Sequence, residues 1–153
     1  MASPSRNHDT RNHDSGDQRA GNSPAHEMFG RDIASKALGI ELIEAGDGRA
    51  TLRLRVTGDM VNGHAMTHGG YVFMLADTAF ACACNSHGPV TVAAGADITF
   101  LRPTGPGDLL TAYAVERVTR GRSGIYDVTV TCDGDVVAEF RGRSRVVSPG
   151  RPA

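Results

Sequence analysis

Apolar residues fill nearly every position between Gly69 and Asn85 instead of recurring on one helical face. A helix that is apolar all round is one that the rest of the protein encloses. Thr67 is a suitable N-cap, and the Gly-Pro pair at 88–89 is a strong stop signal. The pattern therefore predicts an enclosed helix over residues 68–86.

Strands are predicted where apolar and polar residues alternate. A hairpin is predicted over residues 40–46 and 49–56, with Leu52, Leu54 and Val56 on its inner face. Four longer candidate strands follow, which we expect to form a meander, at residues 90–101, 109–119, 124–132 and 136–147. In the last of them, alternation predicts four inward residues, Val136, Ala138, Phe140 and Val146.

A shorter helix is predicted ahead of the hairpin, over residues 26–38, with Phe29, Ile33 and Leu38 on its apolar side and Gly39 as its stop. The order is then helix, two strands, long helix and four strands. A curved sheet is needed to enclose a helix on nearly all sides. The sequence therefore predicts an α+β fold in which one antiparallel β-sheet is wrapped around a long central α-helix.

The domain organisation follows from composition. Residues 1–25 contain almost no large apolar side chain, so we expect a disordered N-terminal tail. The tail also lacks the apolar core of a secretory signal. Residues 26–150 are long enough to form one domain with a single core.

Charge and cysteine content narrow the function classes. A net charge of −1 does not favour binding to nucleic acid or to an anionic membrane surface. The sequence has no uncharged apolar run long enough for a transmembrane helix. Its three cysteines, two of them inside the predicted long helix, indicate reduced thiols and a cytoplasmic protein.

Asp77 is the only charged residue between Gly69 and Asn85. Burying a carboxylate without a cation is costly, so a functional use is expected. The alternative is a structural acid that backbone or hydroxyl donors satisfy. Gly69 and Gly70 likewise allow either close approach of a ligand to the helix N-terminus or tight packing of the helix on the sheet.

Four segments carry a resemblance to a known family: Val61-Asn62-Gly63-His64, His68-Gly69-Gly70, the stretch from Leu75 to Phe80, and Ala83-Cys84-Asn85-Ser86. They resemble the PaaI-type hotdog-fold thioesterases, which are associated with phenylacetic acid degradation. The resemblance covers about residues 26–147. It implies hydrolysis of acyl-CoA thioesters, typically (hydroxy)phenylacetyl-CoA and related compounds. Coenzyme A is part of that substrate, so no separate cofactor is expected.

Thioester hydrolysis explains why these residue types are needed. Negative charge develops on the carbonyl oxygen, and the N–H of Gly69, with or without that of Gly70, would stabilise it. Asp77 would act either as the general base for water or as the nucleophile that forms a mixed anhydride. The resemblance implies that Asn62 positions the water or the acid.

The other predicted site residues lie around this centre. His68 is expected to orient the loop or to hydrogen-bond near the thioester, and Thr78 to contact the acid or the acyl group. His64 is a substrate-binding candidate. Arg102 and Arg122 are candidates for contact with the phosphates of coenzyme A, with plain surface solvation as the alternative. The acyl pocket is expected among Tyr71, Phe73, Met74 and Phe80.

No metal site is expected. His64 and His68 have the i, i+4 spacing of some zinc sites, but His64 falls in the predicted loop. No carboxylate completes a ligand set with them.

The spacing of Gly69 and Asp77 predicts an oligomer. Eight residues of helix separate them by about 12 Å along the axis. One carbonyl cannot easily be held at Gly69 and attacked from Asp77 of the same chain. Two antiparallel copies of the helix related by a two-fold axis solve this, so we expect a homodimer with composite active sites. The resemblance implies a homotetramer as a common assembly.

Two other functions stay open at this point. One is a non-catalytic acyl-CoA-binding hotdog protein, although a binder does not need a buried acid at Asp77. The other is a hotdog hydratase or dehydratase. Those enzymes carry a catalytic His and an Asp on a differently placed motif, which this sequence lacks.

Overall fold

A computed structural model describes residues 23–147. Its helices and strands, in chain order, are α1 (Pro24–Gly30), α2 (Ile33–Ala37), β1 (Glu41–Gly46), β2 (Arg49–Arg55), α3 (Gly69–Asn85), β3 (Thr91–Phe100), β4 (Leu109–Arg120), β5 (Ser123–Cys132) and β6 (Asp135–Val146). A 3-10 turn, Gly58–Met60, precedes α3. Within these ranges no helix is long and apolar enough to cross a membrane.

The six strands form one antiparallel sheet in the order β1-β2-β4-β5-β6-β3, and α3 packs against its inner face. The predicted α+β architecture is confirmed. The hairpin is confirmed too, because Leu52, Leu54 and Val56 are all buried under α3. The core lies between the inner face of the sheet and α3.

The predicted four-strand meander is correct only for β4, β5 and β6. Strand β3 pairs with β6 at the far edge of the sheet, not with β4. The connection from β3 to β4 crosses one end of the sheet. Backbone bonds from Thr67 N to Thr104 O (2.8 Å) and from Gly107 N to Val56 O (2.8 Å) hold it there. Alternation along a strand carries no information about which neighbour it pairs with, so the sequence missed this crossing.

The predicted helix over residues 26–38 is wrong in its continuity. It divides into α1 and α2, because the carboxylate of Asp32 caps a new helix by accepting from Ser35 N at 2.9 Å. Ile33, predicted on the apolar side, is 84% exposed. The folded part also begins earlier than expected, since Ser23 caps α1 and Ala25 is fully buried. The rest of the predicted tail, residues 1–22, lies outside the described residues, as do residues 148–150.

Helix α3 begins at Gly69, and its N-cap is His68, not Thr67 as predicted. His68 Nδ1 accepts from Gly70 N at 3.0 Å. Thr67 is buried, and its hydroxyl accepts from that of Thr104 at 2.8 Å, which ties the loop ahead of α3 to the β3–β4 connection. Both threonine and histidine offer a side-chain acceptor, and a tertiary contact decided between them.

Enclosure of α3 is incomplete. The sheet and α1 cover most of its circumference, but Gly70, Phe73, Asp77 and Ala81 are not buried. They recur at i, i+3 and i+4 and form one stripe along the helix, which we call the open stripe. Within residues 23–147, six strands are present and they leave this side of the helix uncovered.

Alternation in β6 is interrupted at its start. Val137 is buried and Val136 is 40% exposed, the reverse of the prediction. A bulge places Val136 opposite Thr131 and Ala138 opposite Val130, so the inward phase shifts by one residue. Val146, also predicted inward, is only half-buried.

Candidate active site

A cleft of about 530 Å³ opens at the N-terminal end of α3. Its walls come from the loop before α3, the first turns of α3 and the segment that follows β3. Three predicted site residues border it together: Asn62, Gly69 and Arg102. The cleft therefore joins the helix N-terminus, an amide side chain and a cation, although these are up to forty positions apart in the sequence.

The backbone N–H groups in the first turn of α3 differ in whether they have a hydrogen-bond acceptor. Gly70 N–H is taken by His68 Nδ1 (3.0 Å) and Tyr71 N–H by His68 O (3.0 Å). Gly69 N–H has no acceptor within residues 23–147 and borders the cleft. Because the positive end of the helix dipole is at this terminus, Gly69 N–H is the donor placed to stabilise an oxyanion. The predicted help from Gly70 is directed at His68 instead.

Glycine at position 69 is explained by Phe100. A Cβ added to Gly69 would lie 2.9 Å from Cζ of the Phe100 ring, closer than real Cβ contacts come. The ring stands at the end of β3 and borders the cleft. Sequence reasoning missed Phe100, because a single aromatic at a strand end carries no signal of its own. Gly69 thus lets an aromatic wall pack against the helix terminus.

The loop before α3 is organised by Asn62. Its Oδ1 accepts from His64 N at 2.9 Å and from Met66 N at 3.2 Å, and the Asn62 backbone closes the same loop through Met66 O (2.7 Å). This leaves the Nδ2 donors of Asn62 without a partner inside residues 23–147. His64 is exposed and does not border the cleft.

Asp77 lies two turns along α3, in the open stripe, and is half-buried. No hydrogen bond or ion pair from the described part of the chain reaches its carboxylate, so the alternative of an acid satisfied by hydroxyl or backbone donors has no support here. Burial, aided by the negative charge of Asp32, raises the pKa of Asp77 above its ordinary value. A raised pKa makes a carboxylate a stronger base toward water.

The structure keeps Asp77 away from the cleft of its own chain. Gly69 and Asp77 belong to one continuous 17-residue helix, so the separation of about 12 Å expected from the helical rise applies. Asp77 is absent from the residues that border the cleft. The predicted site is thus divided between two regions of the surface.

Three other predicted site residues make contacts within their own chain. The hydroxyl of Thr78 is buried and contacts Met74 O (2.8 Å) and Ser35 Oγ (2.9 Å), away from the cleft. His68 caps α3 and stacks edge-on against Tyr71. Phe80 belongs to the core, where it packs on Tyr126 and Phe140 rather than lining a pocket.

The two candidate arginines lie at different places. Arg102 borders the cleft and donates to Asp135 at 2.6 Å. Arg122 follows β4 near the C-terminal end of α3, where it donates to Val146 O at 3.0 Å and borders a smaller cavity of about 220 Å³. Within one chain, only Arg102 is placed to contact a molecule in the main cleft.

One group of potential metal ligands occurs among the described residues. Ligand atoms of Asp108, Cys132 and Asp133 lie within 4.8 Å of one another. Burial and the two carboxylates raise the pKa of the Cys132 thiol, which disfavours the thiolate form that binds metals. None of the predicted site residues belongs to this group.

Comparison with known proteins decides the family. Residues 64–139 match the profile of the Thioesterase superfamily. The acyl-coenzyme A thioesterase PaaI of Escherichia coli (strain K12) is 47% identical over 121 residues, which cover 78% of this chain and 86% of that protein. The chain belongs to the thioesterase superfamily. It is therefore a thioester hydrolase, as the sequence predicted.

Solved structures of PaaI proteins confirm the predicted hotdog fold and the PaaI-type resemblance. The E. coli PaaI protein from the phenylacetic acid degradation operon superimposes with a TM-score of 0.80 at 45% identity, over 82% of this chain and 91% of that one. A mutant of the phenylacetic acid degradation protein PaaI from Thermus thermophilus gives a TM-score of 0.72 at 35% identity, over 74% and 97%.

Proposed function

We propose that this thioesterase hydrolyses acyl-CoA thioesters of the (hydroxy)phenylacetyl-CoA type to the free acid and coenzyme A. The similarity to the E. coli acyl-coenzyme A thioesterase supports the acyl-CoA class, and the phenylacetic acid degradation operon of that relative supports an aryl-acetyl group. The single observation that carries the mechanism is the unpaired Gly69 N–H beside an aromatic-walled cleft, among the residues from 23 to 147.

In the proposed mechanism the thioester carbonyl oxygen accepts a hydrogen bond from Gly69 N–H. The helix dipole stabilises the charge that develops there, and loss of one such donor typically lowers kcat by about 10²- to 10³-fold. The free Nδ2 of Asn62 donates to the attacking water or to the catalytic carboxylate. Arg102, at the cleft, is placed to contact a phosphate of coenzyme A. Its existing partner Asp135 is exposed and easily exchanged.

Asp77 supplies the base or the nucleophile. As a base it takes a proton from water while the water oxygen bonds to the carbonyl carbon. The C–S bond then breaks, and Asp77 returns the proton to the leaving sulfur, so that coenzyme A leaves as the thiol. As a nucleophile its carboxylate displaces the thiolate, and water then hydrolyses the mixed anhydride. The raised pKa of Asp77 favours both routes equally, since a more basic carboxylate is a stronger base and a stronger nucleophile.

A homodimer would complete the site. The open stripe exposes Phe73 and Asp77 on one side of α3, and β3 presents a free sheet edge that ends at Phe100. Unpaired strand edges and exposed apolar stripes are surfaces that a second copy covers. Antiparallel pairing of two α3 helices would bring Gly69 near Asp77 of the partner subunit. We extend the proposal to a homotetramer of two such dimers, on the PaaI-type resemblance, and sedimentation velocity distinguishes the two assemblies.

The proposal also includes a cytoplasmic location. All three cysteines, Cys82, Cys84 and Cys132, are free and buried in this structure. Unpaired thiols are typical of a reducing compartment.

Release of free thiol from a panel of aryl-acetyl, short-chain and medium-chain acyl-CoAs tests the function. Wild type should prefer phenylacetyl-CoA or its hydroxy derivative, and Asp77→Asn should lose at least about a hundredfold in kcat. Asp47→Asn is the matched control, because Asp47 is exposed in the β1–β2 turn at a positive φ that Asn tolerates. Binding of acyl-CoA without turnover on any substrate would identify a non-catalytic binder instead.

A further inference from the structure

Helix α2 is joined to α3 by a buried polar contact next to Asp77. Ser35 is fully buried, and its Oγ donates to Asp32 Oδ2 at 2.6 Å while lying 2.9 Å from Thr78 Oγ1. Burying hydroxyl groups is unfavourable unless each finds a partner. Capping of α2 needs only the bond from Ser35 N to Asp32 Oδ1. The second carboxylate oxygen and the two buried hydroxyls extend the contacts of this cap from α2 to α3.

The direction of these hydrogen bonds follows from proton counting. Ser35 has one hydroxyl proton, and the carboxylate of Asp32 is its stronger acceptor. Thr78 also has one hydroxyl proton, which it donates to Met74 O at 2.8 Å. The 2.9 Å contact between Ser35 Oγ and Thr78 Oγ1 is therefore the weaker link, formed when one of the two protons turns toward it. Carboxylate, serine and threonine form a connected network that ends on the turn of α3 from Met74 to Thr78.

Asp77 belongs to that turn. Its backbone is held between Met74 and Thr78, the two residues that the network contacts on α3. The negative charge of Asp32, which is one end of the network, adds to the larger effect of burial in raising the pKa of Asp77. The contact thus has both a geometric and an electrostatic consequence for one side chain.

We propose that Asp32, Ser35 and Thr78 are positioning residues for Asp77: they fix its helical turn and hold a second carboxylate beside it. This inference rests on the proposed function, in which Asp77 is the base or nucleophile. It assigns a role in the reaction to α2, a five-residue helix outside the cleft. None of the three residues touches the substrate in this proposal.

Asp32 is the charged group that raises the pKa of Asp77, and the other titratable groups around α3 are neutral, paired or exposed. Burial raises the thiol pKa values of Cys82 and Cys84 on α3 to about 12, so both are neutral at pH 7. The strands direct mainly apolar side chains at the helix. Tyr71 on α3 packs edge-on against His68. On α1 and α2, His26 contacts Ser23, Glu27 is exposed and Lys36 donates to Gly30 O. Tyr126 and His87 bind Glu116 near the C-terminal end of α3.

The electrostatic consequence has a definite sign. A neighbouring negative charge disfavours ionisation of Asp77, so removal of the Asp32 charge should lower the pKa of Asp77. Activity requires the ionised carboxylate. The acidic limb of the kcat/KM profile should therefore move to lower pH in Asp32→Asn, while the weaker base should give a lower kcat on the plateau.

Three variants separate charge from geometry. Asp32→Asn keeps an acceptor for Ser35 N and an amide beside Ser35 Oγ, but removes the charge. Ser35→Ala keeps the charge and breaks the network. Thr78→Val preserves shape and breaks the network from the α3 side. We expect kcat to fall about three- to tenfold in all three with KM nearly unchanged, and the acidic limb to shift most in Asp32→Asn.

The readouts keep this inference apart from the proposed function. NMR titration of the Asp77 carboxyl in wild type and Asp32→Asn measures the electrostatic effect without any turnover. An unchanged Asp77 titration, together with kcat and pH profiles like wild type and only a lowered melting temperature, would overturn the positioning role. Full activity in Asp77→Asn would instead overturn the proposed function. If Asp77→Asn loses activity while Asp32→Asn and Ser35→Ala keep wild-type kcat and pH profiles, the positioning role alone is overturned.

Discussion

Adding one methyl group at Gly69 tests the proposed oxyanion contact most directly. In Gly69→Ala the new Cβ would lie 2.9 Å from Phe100 Cζ, 3.3 Å from Cε2 and 3.4 Å from Cε1. Favourable carbon–carbon contacts are about 3.5 to 4.0 Å, so the closest approach is about 0.6 Å too short. Either the ring or the first turn of α3 must move. Both border the space where the carbonyl would approach Gly69 N–H.

The expected effect on stability is small. Phe100 is 52% exposed, so its ring can turn toward solvent instead of straining the core. Overpacking of a tight site costs about 1–3 kcal/mol, and this site is open on one side, so we take the low end. Alanine is favoured over glycine by roughly 0.5–1 kcal/mol in a helix interior. Gly69 is the first residue of α3, so only part of that gain offsets the cost. The net change should be within about 1 kcal/mol, or about 4 °C in melting temperature.

The expected effect on catalysis is large. If the methyl group or the displaced ring keeps the carbonyl from Gly69 N–H, kcat/KM should fall about 10²- to 10³-fold. Thiol release from phenylacetyl-CoA and thermal unfolding should be measured together. Gly30→Ala is the matched control, because it is also a glycine at a helix end and its Cβ would meet nothing within 4 Å.

Two results would refute this reasoning. Retention of kcat/KM within about twofold in Gly69→Ala would mean that the carbonyl does not need close approach to that N–H. An equal loss in Gly30→Ala would mean that the assay reports general destabilisation. Adding Phe100→Ala to Gly69→Ala then separates the ring from the methyl group, because only displacement of the ring should be relieved by the second substitution.

Three further predictions follow from the same geometry. Asn62→Asp keeps the acceptor for the N–H groups of His64 and Met66 but removes the Nδ2 donors, so kcat should fall with little change in melting temperature. Asn62→Ala removes both the acceptor and the donors, so it should lower kcat and the melting temperature together. Mixing refolded Gly69→Ala and Asp77→Asn should restore about a quarter of wild-type activity through hybrid dimers with one intact site, and no recovery would argue against composite sites. Asp77→Asn should raise the melting temperature at pH 7, because the pKa of Asp77 is raised in the folded state and its ionisation therefore destabilises the fold above the ordinary Asp pKa. The gain in melting temperature should vanish below that ordinary pKa, where the carboxyl is neutral in both states. A gain that persists there would contradict the raised pKa.

Local sequence patterns predicted the strands and the long helix well because their signals are short in range. Alternation placed Leu52 and Leu54 in the core, and the observed bounds of α3, Gly69–Asn85, fall within one residue of the prediction at each end. The first helical region failed for an equally local reason. Asp32 can continue a helix or cap a new one, and its contact with Ser35 decided for the cap.

The candidate site was predictable in its residue types but not in its arrangement. Gly69 and Asp77 were singled out because a helix N-terminus and a lone acid are recognisable from the sequence pattern alone. Asn62 was singled out by the family resemblance. The N–H of Gly69 is the free one because His68 Nδ1 accepts the hydrogen bond from Gly70 N–H, and the sequence does not show that contact. The aromatic wall depended on Phe100 reaching the helix from the far edge of the sheet.

The sequence by itself determined the α+β class, the long apolar helix, the isolated acid and the problem that Gly69 and Asp77 pose by lying about 12 Å apart along one helix. These follow from side-chain periodicity and backbone geometry, which neighbouring residues fix among themselves. Only the tertiary structure decided the edge position of β3, the open stripe and the contact between Ser35 and Thr78, 43 positions apart. Such contacts depend on how distant segments of the chain pack. The free energy of that packing is distributed over the whole core, so no single position or local pattern in the sequence predicts it.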